Sequence, residues 1–302
     1  LINLDLLTYA GNLENLKEVQ NHPRHTFIKG DICDRDLIES IFEEYKIEGV
    51  IHFAAESHVD NSIKNPDVFI KTNINGTFTL IDVALKIWGK NSKNRFHHIS
   101  TDEVYGTLGE EGFFSESTPY APNSPYSASK ASSDMIVRSY HHTYGINTII
   151  TNCSNNYGPK QHAEKLIPTI IRKALSEEEI PIYGDGKNIR DWLYVLDHCS
   201  GIDLAFHKGK AGEVYNIGGR NERNNNYIAD KICTILDELK PRKDGKSYKK
   251  QIVFVEDRLG HDRRYAIDAT KIESELLWSA EENFESGIKK TIEWYLKEFD
   301  AK

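Results

Sequence analysis

The chain has 302 residues, 39% of them hydrophobic, with 38 Lys and Arg against 46 Asp and Glu for a formal charge of −8. That is enough chain for a sizeable core in one or two domains, and the acidic balance argues against a nucleic-acid binder while leaving room for a phosphorylated ligand held by a few local arginines. No run approaches the ~18 apolar residues of a membrane span; Cys33, Cys153, Cys199 and Cys233 are too scattered for a metal or dense disulfide pattern, so reduced, mostly buried thiols in a cytoplasmic protein are expected.

The chain opens inside an apolar pattern, LINLDLLTYAG, without an initiator Met or signal peptide, and a first strand and helix are expected ahead of it. Leu1–Leu7 reads as a buried strand ending near Asp5, Leu13–Asn21 as a short helix, and His25–Lys29 as a second strand closed by Gly30-Asp31. Asp34–Tyr45 places Leu37, Ile38, Ile41 and Phe42 on one helical face. A third strand begins at Gly49 and runs through VIHFAA, followed by a loop over Glu56–Asn65 and a long helix over Pro66–Trp88. Arg95–Ser100 is the next strand, Pro125–Tyr144 the next helix and Asn147–Cys153 the next strand. Strands alternating with helices in this way make βαβ units and a mostly parallel sheet covered on both faces.

After Tyr157-Gly158-Pro159 the regularity breaks. Leu166–Leu175 reads as a helix, and IPIYGDGKNIRDWLYVLDHC as a Gly-rich turn, a short strand and a helix to about His207. Glu213–Gly218 is a short strand, Tyr227–Glu238 a helix, PRKDGKSYKK a basic solvated loop, Ile252–Val255 a strand and Ile288–Phe299 a terminal helix. This smaller mixed part is expected as a cap on the sheet.

Ligands of open α/β sheets sit beyond the carboxyl ends of the strands. The residues there are Asp5, Asp31, Ala54-Ala55-Glu56, Ser100–Glu103 and Asn155-Asn156. Asp5 stands where an acid would hydrogen-bond a ribose, although a strand-ending Asp also serves as a turn residue. Thr101-Asp102-Glu103 reads either as an N-cap with acids in the first helical turn or as acid and base groups for chemistry. Tyr126 and Lys130, four apart, share a helix face, and an ammonium beside a phenol favours phenolate; the pair is also a common surface arrangement. Ser127, Ala128 and Ser129 between them are small enough for a cofactor to approach. Arg190, Arg258, Arg263 and Arg264 either grip a diphosphate or form interface salt bridges. His97, His98 and His261 lack metal spacing, and no GxSxG elbow is present.

The words LDLLTYAG, GDICD, IHFAAESHVDNSI, TNINGT, STDEVYG, SPYSASKASSD, TNCSNNYGP, EKLIP, PIYGDGKNIRDW and VEDRLGHDRRYAID run through essentially the whole chain. With them the sequence resembles the extended short-chain dehydrogenase/reductase superfamily and, within it, the dTDP-glucose 4,6-dehydratase family. YxxxK alone marks the superfamily; an epimerase of that fold keeps Tyr and Lys but lacks the adjacent Asp-Glu. The resemblance implies an α/β fold, a Rossmann-like parallel sheet with helices on both faces plus a smaller mixed α/β substrate-binding domain. Residues 1–156 and 189–219 would bind NAD, and residues 157–188 and 220–302 the nucleotide sugar. It further implies a lyase that turns dTDP-glucose into dTDP-4-dehydro-6-deoxy-D-glucose and water, with Thr101, Asp102, Glu103, Tyr126 and Lys130 catalytic. Asp5, Thr8, Asp31, Ile32, Ala54, Ala55, Ser57 and Thr72 would join Tyr126 and Lys130 around NAD. Ser57, His58, Thr101, Asn155, Glu164, Lys165, Leu166, Pro181, Tyr183, Arg190, Asn225, Arg258 and His261 would contact the nucleotide sugar, and Tyr157 either closes the cleft or packs. A homodimer through Pro66–Trp88 and Pro125–Tyr144 is implied as well. The family's opening glycine loop is absent from these residues, and Leu259 replaces its usual Pro. The competing readings are a dehydratase or epimerase for a UDP- or GDP-sugar, and an inactive nucleotide-sugar-binding protein.

Overall fold

The structure, a computed structural model, describes residues 1–300. It divides into two compact units: residues 1–104, 120–152 and 204–215, and residues 105–119, 153–203 and 216–302.

The first unit holds β1 (Ile2–Asp5), β2 (Thr26–Lys29), α1 (Arg35–Tyr45), β3 (Gly49–His52), α2 (Val59–Lys64), α3 (Pro66–Phe69), a π-helical turn (Ile70–Gly76), α4 (Thr77–Trp88), β4 (Arg95–Thr101), α5 (Pro125–Tyr144) and most of β5 (Asn147–Cys153). β1 and β2 pair in parallel, and a separate sheet runs in the order β3-β4-β5-β9, where β9 (Val214–Ile217) crosses the unit boundary. Helix starts follow local chemistry. Asp34 accepts from the Leu37 N–H to cap α1, whose buried face is Ile38, Ile41 and Phe42. Ser124 and Ser127 form a reciprocal capping box for α5, with Pro125 in its first turn and Gly145 in the left-handed conformation at its end. Ile38, Phe42, Ile81, Phe96, Val137 and Ile146 make the core beneath these helices.

The second unit contains β6 (Asn155–Tyr157), α6 (Leu166–Leu175), β7 (Ile180–Tyr183), β8 (Ile189–Tyr194), most of α7 (Val195–Lys208), β10 (Glu222–Asn224), α8 (Asn225–Leu239), β11 (Ile252–Val255), α9 (Thr270–Leu276) and α10 (Phe284–Asp300). Its sheets are β10-β8-β6, with β8–β10 antiparallel, and β11-β7, which is parallel. Residues 189–203, grouped from sequence with the first part, pack here because β8 hydrogen-bonds between β6 and β10. Ile170, Trp192, Ile232, Phe284 and Ile288 lie in its core.

Several expectations are corrected. Leu13–Asn21 is not a helix: only Leu13–Leu16 winds, as a single 3-10 turn, and the chain then turns toward Pro23. The expected loop at 56–65 contains α2, capped by a histidine, His58, rather than by a typical cap residue. The long helix at 66–88 is interrupted by its π turn. The terminal helix begins four residues early, at Phe284. β1 is half-buried at best, since its described pairing is with β2 alone. All four cysteines are free, but Cys233 alone is buried, and Cys199 is exposed.

Candidate active site

Five of the predicted residues converge within the first unit. β4 ends at Thr101, and the chain immediately tightens into a 3-10 turn, Asp102–Tyr105. That turn is held by the Glu103 N–H donating to Thr101 Oγ1 at 3.3 Å and by Thr101 Oγ1 facing Asp102 Oδ1 at 3.4 Å. Thr101 and Asp102 are buried while Glu103 is half-buried, so the two neighbouring carboxyls sit in unequal surroundings. α5 packs against β4 and brings Tyr126 and Lys130 inward, both almost fully buried. Lys130 Nζ donates to the Ile99 carbonyl at 2.7 Å, and the Tyr126 ring meets Phe69 edge-on at 6.3 Å. A surface ion-pair role for Tyr126 and Lys130 is therefore excluded by their burial.

The strand ends of the same unit carry the residues expected around NAD. Asp5 closes β1 and uses Oδ1 to accept from the Leu7 N–H at 2.7 Å. Asp31 follows β2. Burial pushes its carboxyl up, but hydrogen bonds from Cys33 and the Lys71 ammonium hold it below the ordinary carboxylate value. Ala54 and Ala55 follow β3, half-buried, and Ser57 and Thr8 are exposed. Ile32 is buried against Gly76, where an added Cβ would lie 2.4 Å from Ile32 Cδ1, so a larger residue at 76 would displace the Ile32 side chain. Thr72 lies in the π turn, a feature common at functional sites. Carboxylates at the ends of β1 and β2, small residues and a buried Tyr–Lys pair make a set of acceptors and donors whose chemistry fits a dinucleotide.

Sequence reasoning missed Asn73. Its side chain accepts from the Glu56 N–H at 2.8 Å and donates to the Glu56 carbonyl at 3.0 Å and to Ser129 Oγ at 2.8 Å. It thereby ties the segment carrying Ser57 and His58 to the small-residue face of α5. His58 caps α2 by accepting from the Asn61 N–H at 3.3 Å.

In the second unit Tyr183, Arg190, Arg258 and His261 form a group. The Arg258 guanidinium lies 5.0 Å over the Tyr183 ring, and His261 meets that ring edge-on at 6.5 Å. Arg190 stacks 4.2 Å over Tyr265 and donates to the Asp262 carbonyl. Burial, with help from Arg190 and Arg258, lowers the His261 pKa, even though Asp257 contacts its Nδ1 at 2.6 Å. Pro181 lies on β7, Asn155 opens β6 and Asn225 opens α8, with the Asn225 N–H bound to the Asn188 carbonyl. Lys165 precedes Leu166 at the start of α6, and Glu164 stands 3.9 Å from the Lys165 ammonium. The other arginines are committed elsewhere: Arg263 pairs with Asp185 at 2.9 Å and Arg264 with Glu222 at 2.8 Å. Tyr157 packs rather than closing a cleft: it is fully buried against Trp192, Tyr194 and Phe284, and a Cβ on Gly287 would sit 2.2 Å from its hydroxyl. Leu259, the departure from the family pattern, is exposed beside Gly260 in the left-handed conformation. Among the described residues no cluster of His, Cys, Asp and Glu could hold a metal ion.

Comparison with known proteins identifies the family. The family model described as GDP-mannose 4,6 dehydratase matches residues 1–291. The chain is 54% identical over 301 residues to the dTDP-glucose 4,6-dehydratase of Xanthomonas campestris, covering 98% of this chain and 86% of that protein. It superposes with a TM-score of 0.87 and 47% identity on the Bacillus anthracis dTDP-glucose 4,6-dehydratase solved with NAD, covering 99% and 88% of the two chains. For the Streptomyces venezuelae enzyme of that name, DesIV, with NAD and TYD bound, the TM-score is 0.91 at 44% identity over the same shares. The chain therefore belongs to the dTDP-glucose 4,6-dehydratase family of the extended short-chain dehydrogenases/reductases.

Proposed function

We propose that this protein converts dTDP-glucose to dTDP-4-dehydro-6-deoxy-D-glucose and water. The observation that carries the reading is the meeting of a Thr-Asp-Glu strand end with a buried Tyr–Lys pair in one unit, supported by the matches to enzymes of that name. NAD, when bound, supplies the acceptor and later the donor of a hydride. Asp5, Thr8, Asp31, Ile32, Ala54, Ala55, Ser57 and Thr72 would hold it, with Tyr126 and Lys130 beside it. Tyr126 takes the proton of the sugar C4 hydroxyl, and the Lys130 ammonium favours its phenolate form. Thr101 hydrogen-bonds the C4 oxygen. Once C4 is a ketone the C5 proton is acidic; Glu103 removes it, Asp102 protonates the C6 hydroxyl as it leaves as water, and the proton on Glu103 goes back to C5 as the hydride taken from C4 is returned to C6. Two adjacent carboxyls in unequal surroundings are suited to dividing base and acid work.

The family resemblance assigns contacts with the nucleotide sugar to Ser57, His58, Thr101, Asn155, Glu164, Lys165, Leu166, Pro181, Tyr183, Arg190, Asn225, Arg258 and His261. Arg190 and Arg258 suit a diphosphate, each already oriented by an aromatic ring. A homodimer through α3–α4 and α5 is part of the proposal. Exposed Val68, Ile70, Phe78 and Met135 support it, as does an apolar hollow of about 470 Å³ lined by Ala128, Ala131, Met135 and Ile136. Four free cysteines support a reducing, cytoplasmic setting.

The test is incubation of the purified protein with dTDP-glucose and no added reductant, following a keto sugar lighter by one water. Turnover of UDP- or GDP-glucose with none of dTDP-glucose would overturn the substrate assignment.

A further inference from the structure

The inward face of α5 carries a third ionisable group. Asp134 lies one turn beyond Lys130 and two beyond Tyr126, and is 1% exposed. Its Oδ2 accepts from Ser100 Oγ at 2.8 Å and from the Tyr120 hydroxyl at 2.9 Å. Its Oδ1 lies 3.2 Å from His98 Nε2. The His98 ring is 5.1 Å from that of His52, and His52 Nε2 is 2.9 Å from Thr77 Oγ1. The titratable groups around Asp134 are thus His98 on β4, His52 on β3, Tyr120 in the segment before α5, and Lys130 and Tyr126 on α5 itself. From α4, Asp82 faces α5 but is engaged by Tyr140 and Arg35. The π turn contributes Asn73, which does not titrate; its carbonyl accepts from Ser133 Oγ on α5 at 2.6 Å.

The charges in this interior are unequal. Burial, and then the Lys130 charge, drive His98 well below the usual imidazole value; His52 is driven down by burial, His98 and Lys130 together. Both rings are therefore neutral at physiological pH, and neither competes with Lys130 as a cation. A buried ammonium without a counter-charge can lose several units of pKa, and a neutral Lys130 could no longer favour the Tyr126 phenolate.

We propose that Asp134 is a positioning residue for the reaction: its carboxylate is the counter-charge that keeps the buried Lys130 protonated and so keeps Tyr126 competent as a base. Ser100 and Tyr120 serve to stabilise that carboxylate. Burial pushes the Asp134 carboxyl up to about 6, against the pull of Lys130, Ser100 and Tyr120, so the counter-charge is present at neutral pH and lost under mild acid. The inference rests on the assignment of Tyr126 and Lys130 made above, and its failure can be told from the failure of that assignment.

Asp134→Asn keeps the shape and leaves an oxygen to accept from Ser100 and Tyr120, removing only the charge. A purely structural Asp134 predicts a pH profile for kcat that keeps its shape. The counter-charge role predicts that Asn brings the alkaline limb down by about one pH unit or more, with kcat falling about tenfold near pH 8 and KM nearly unchanged. Trace acetylation of the purified variant, read lysine by lysine by mass spectrometry, should label Lys130 at least about threefold faster than in the wild type, because the neutral amine is the nucleophile. Tyr120→Phe removes one donor and should move the acid limb up by about half a unit, which decides the matter if the Asn variant does not fold. A wild-type pH profile and wild-type Lys130 labelling in Asp134→Asn, or an unmoved acid limb in Tyr120→Phe, overturns the inference. Full turnover by Tyr126→Phe would instead overturn the assignment beneath it.

Discussion

Lys130 Nζ donates to the carbonyl of Ile99, two residues before Thr101, at 2.7 Å. The ammonium proposed to assist Tyr126 is therefore also a strut between α5 and the strand end that presents Thr101, Asp102 and Glu103. Lys130→Met should remove both functions. Turnover is expected to fall by about two to three orders of magnitude, and stability by about 1–3 kcal/mol as the Ile99 carbonyl loses its partner. Initial rates and urea melts check the two parts separately.

Tyr126→Phe and Glu103→Gln should fail at different stages. The first stops oxidation at C4; the second spares it and stalls at loss of the C5 proton. Single-turnover absorbance of the reduced nicotinamide should stay flat for Tyr126→Phe and build up for Glu103→Gln, with product formation down by about 10²-fold or more in both. Equal behaviour of the two would contradict the division of roles.

Arg258 and Arg263 lie close in sequence, yet their substitutions should differ. Arg263 pairs with Asp185 in an exposed salt bridge, a type worth about 0–1 kcal/mol, so Arg263→Ala should leave KM within about twofold. Arg258→Ala should raise KM for the nucleotide sugar by about tenfold or more through loss of a charge-assisted donor. Calorimetric titration with dTDP gives the same comparison without turnover.

Asn73→Ala removes three hydrogen bonds at once and leaves the Glu56 N–H and carbonyl without that partner. A loss of about 2–4 kcal/mol is expected, measured as a shift in urea midpoint. NAD affinity should weaken with it, because the segment from Ala54 to His58 is no longer held to α5.

Asp134 makes stability depend on pH in a definite direction. Its folded pKa of about 6 lies above the ordinary value of 3.8, so the protonated form contributes stability that is full below the lower value and is lost as pH rises through the higher one. Between about pH 4 and pH 7.5 the wild type should lose about 2 kcal/mol relative to Asp134→Asn. Parallel urea titrations of the two proteins at both pH values measure that gap. A carboxylate that costs stability at neutral pH is retained there at the expense of the fold.

Local signals explain where the reading of the sequence succeeded. α5 runs over the expected residues, Pro125–Tyr144, because its boundaries are written locally in Ser124, Pro125 and Gly145. β5 likewise matches Asn147–Cys153. α2 was missed because its cap is a histidine and its six residues are too few for a periodicity to show. The π turn was invisible because a one-residue slip hardly disturbs an apolar pattern. The roles of Arg263 and Arg264 are not legible in sequence because their partners, Asp185 and Glu222, stand 78 and 42 residues away. Asp134 was in plain view at the spacing of Tyr126 and Lys130, but His98, Ser100 and Tyr120, which give it meaning, gather around it only once β4 and α5 have packed.

The π turn at Ile70–Gly76 amounts to one surplus residue inside an otherwise regular rod. Deleting a single position there would let the rod heal into a plain α-helix. Because a π turn winds less per residue, the segments on either side would keep nearly the same rotation about the helix axis, and only residues within the turn would change the face they present. Phe69, before the turn, would keep its place against Tyr126, whereas Asn73, within it, would lose its grip on Glu56. In this segment one extra residue decides which side chains face inward, and length is as much a part of the local specification as residue identity.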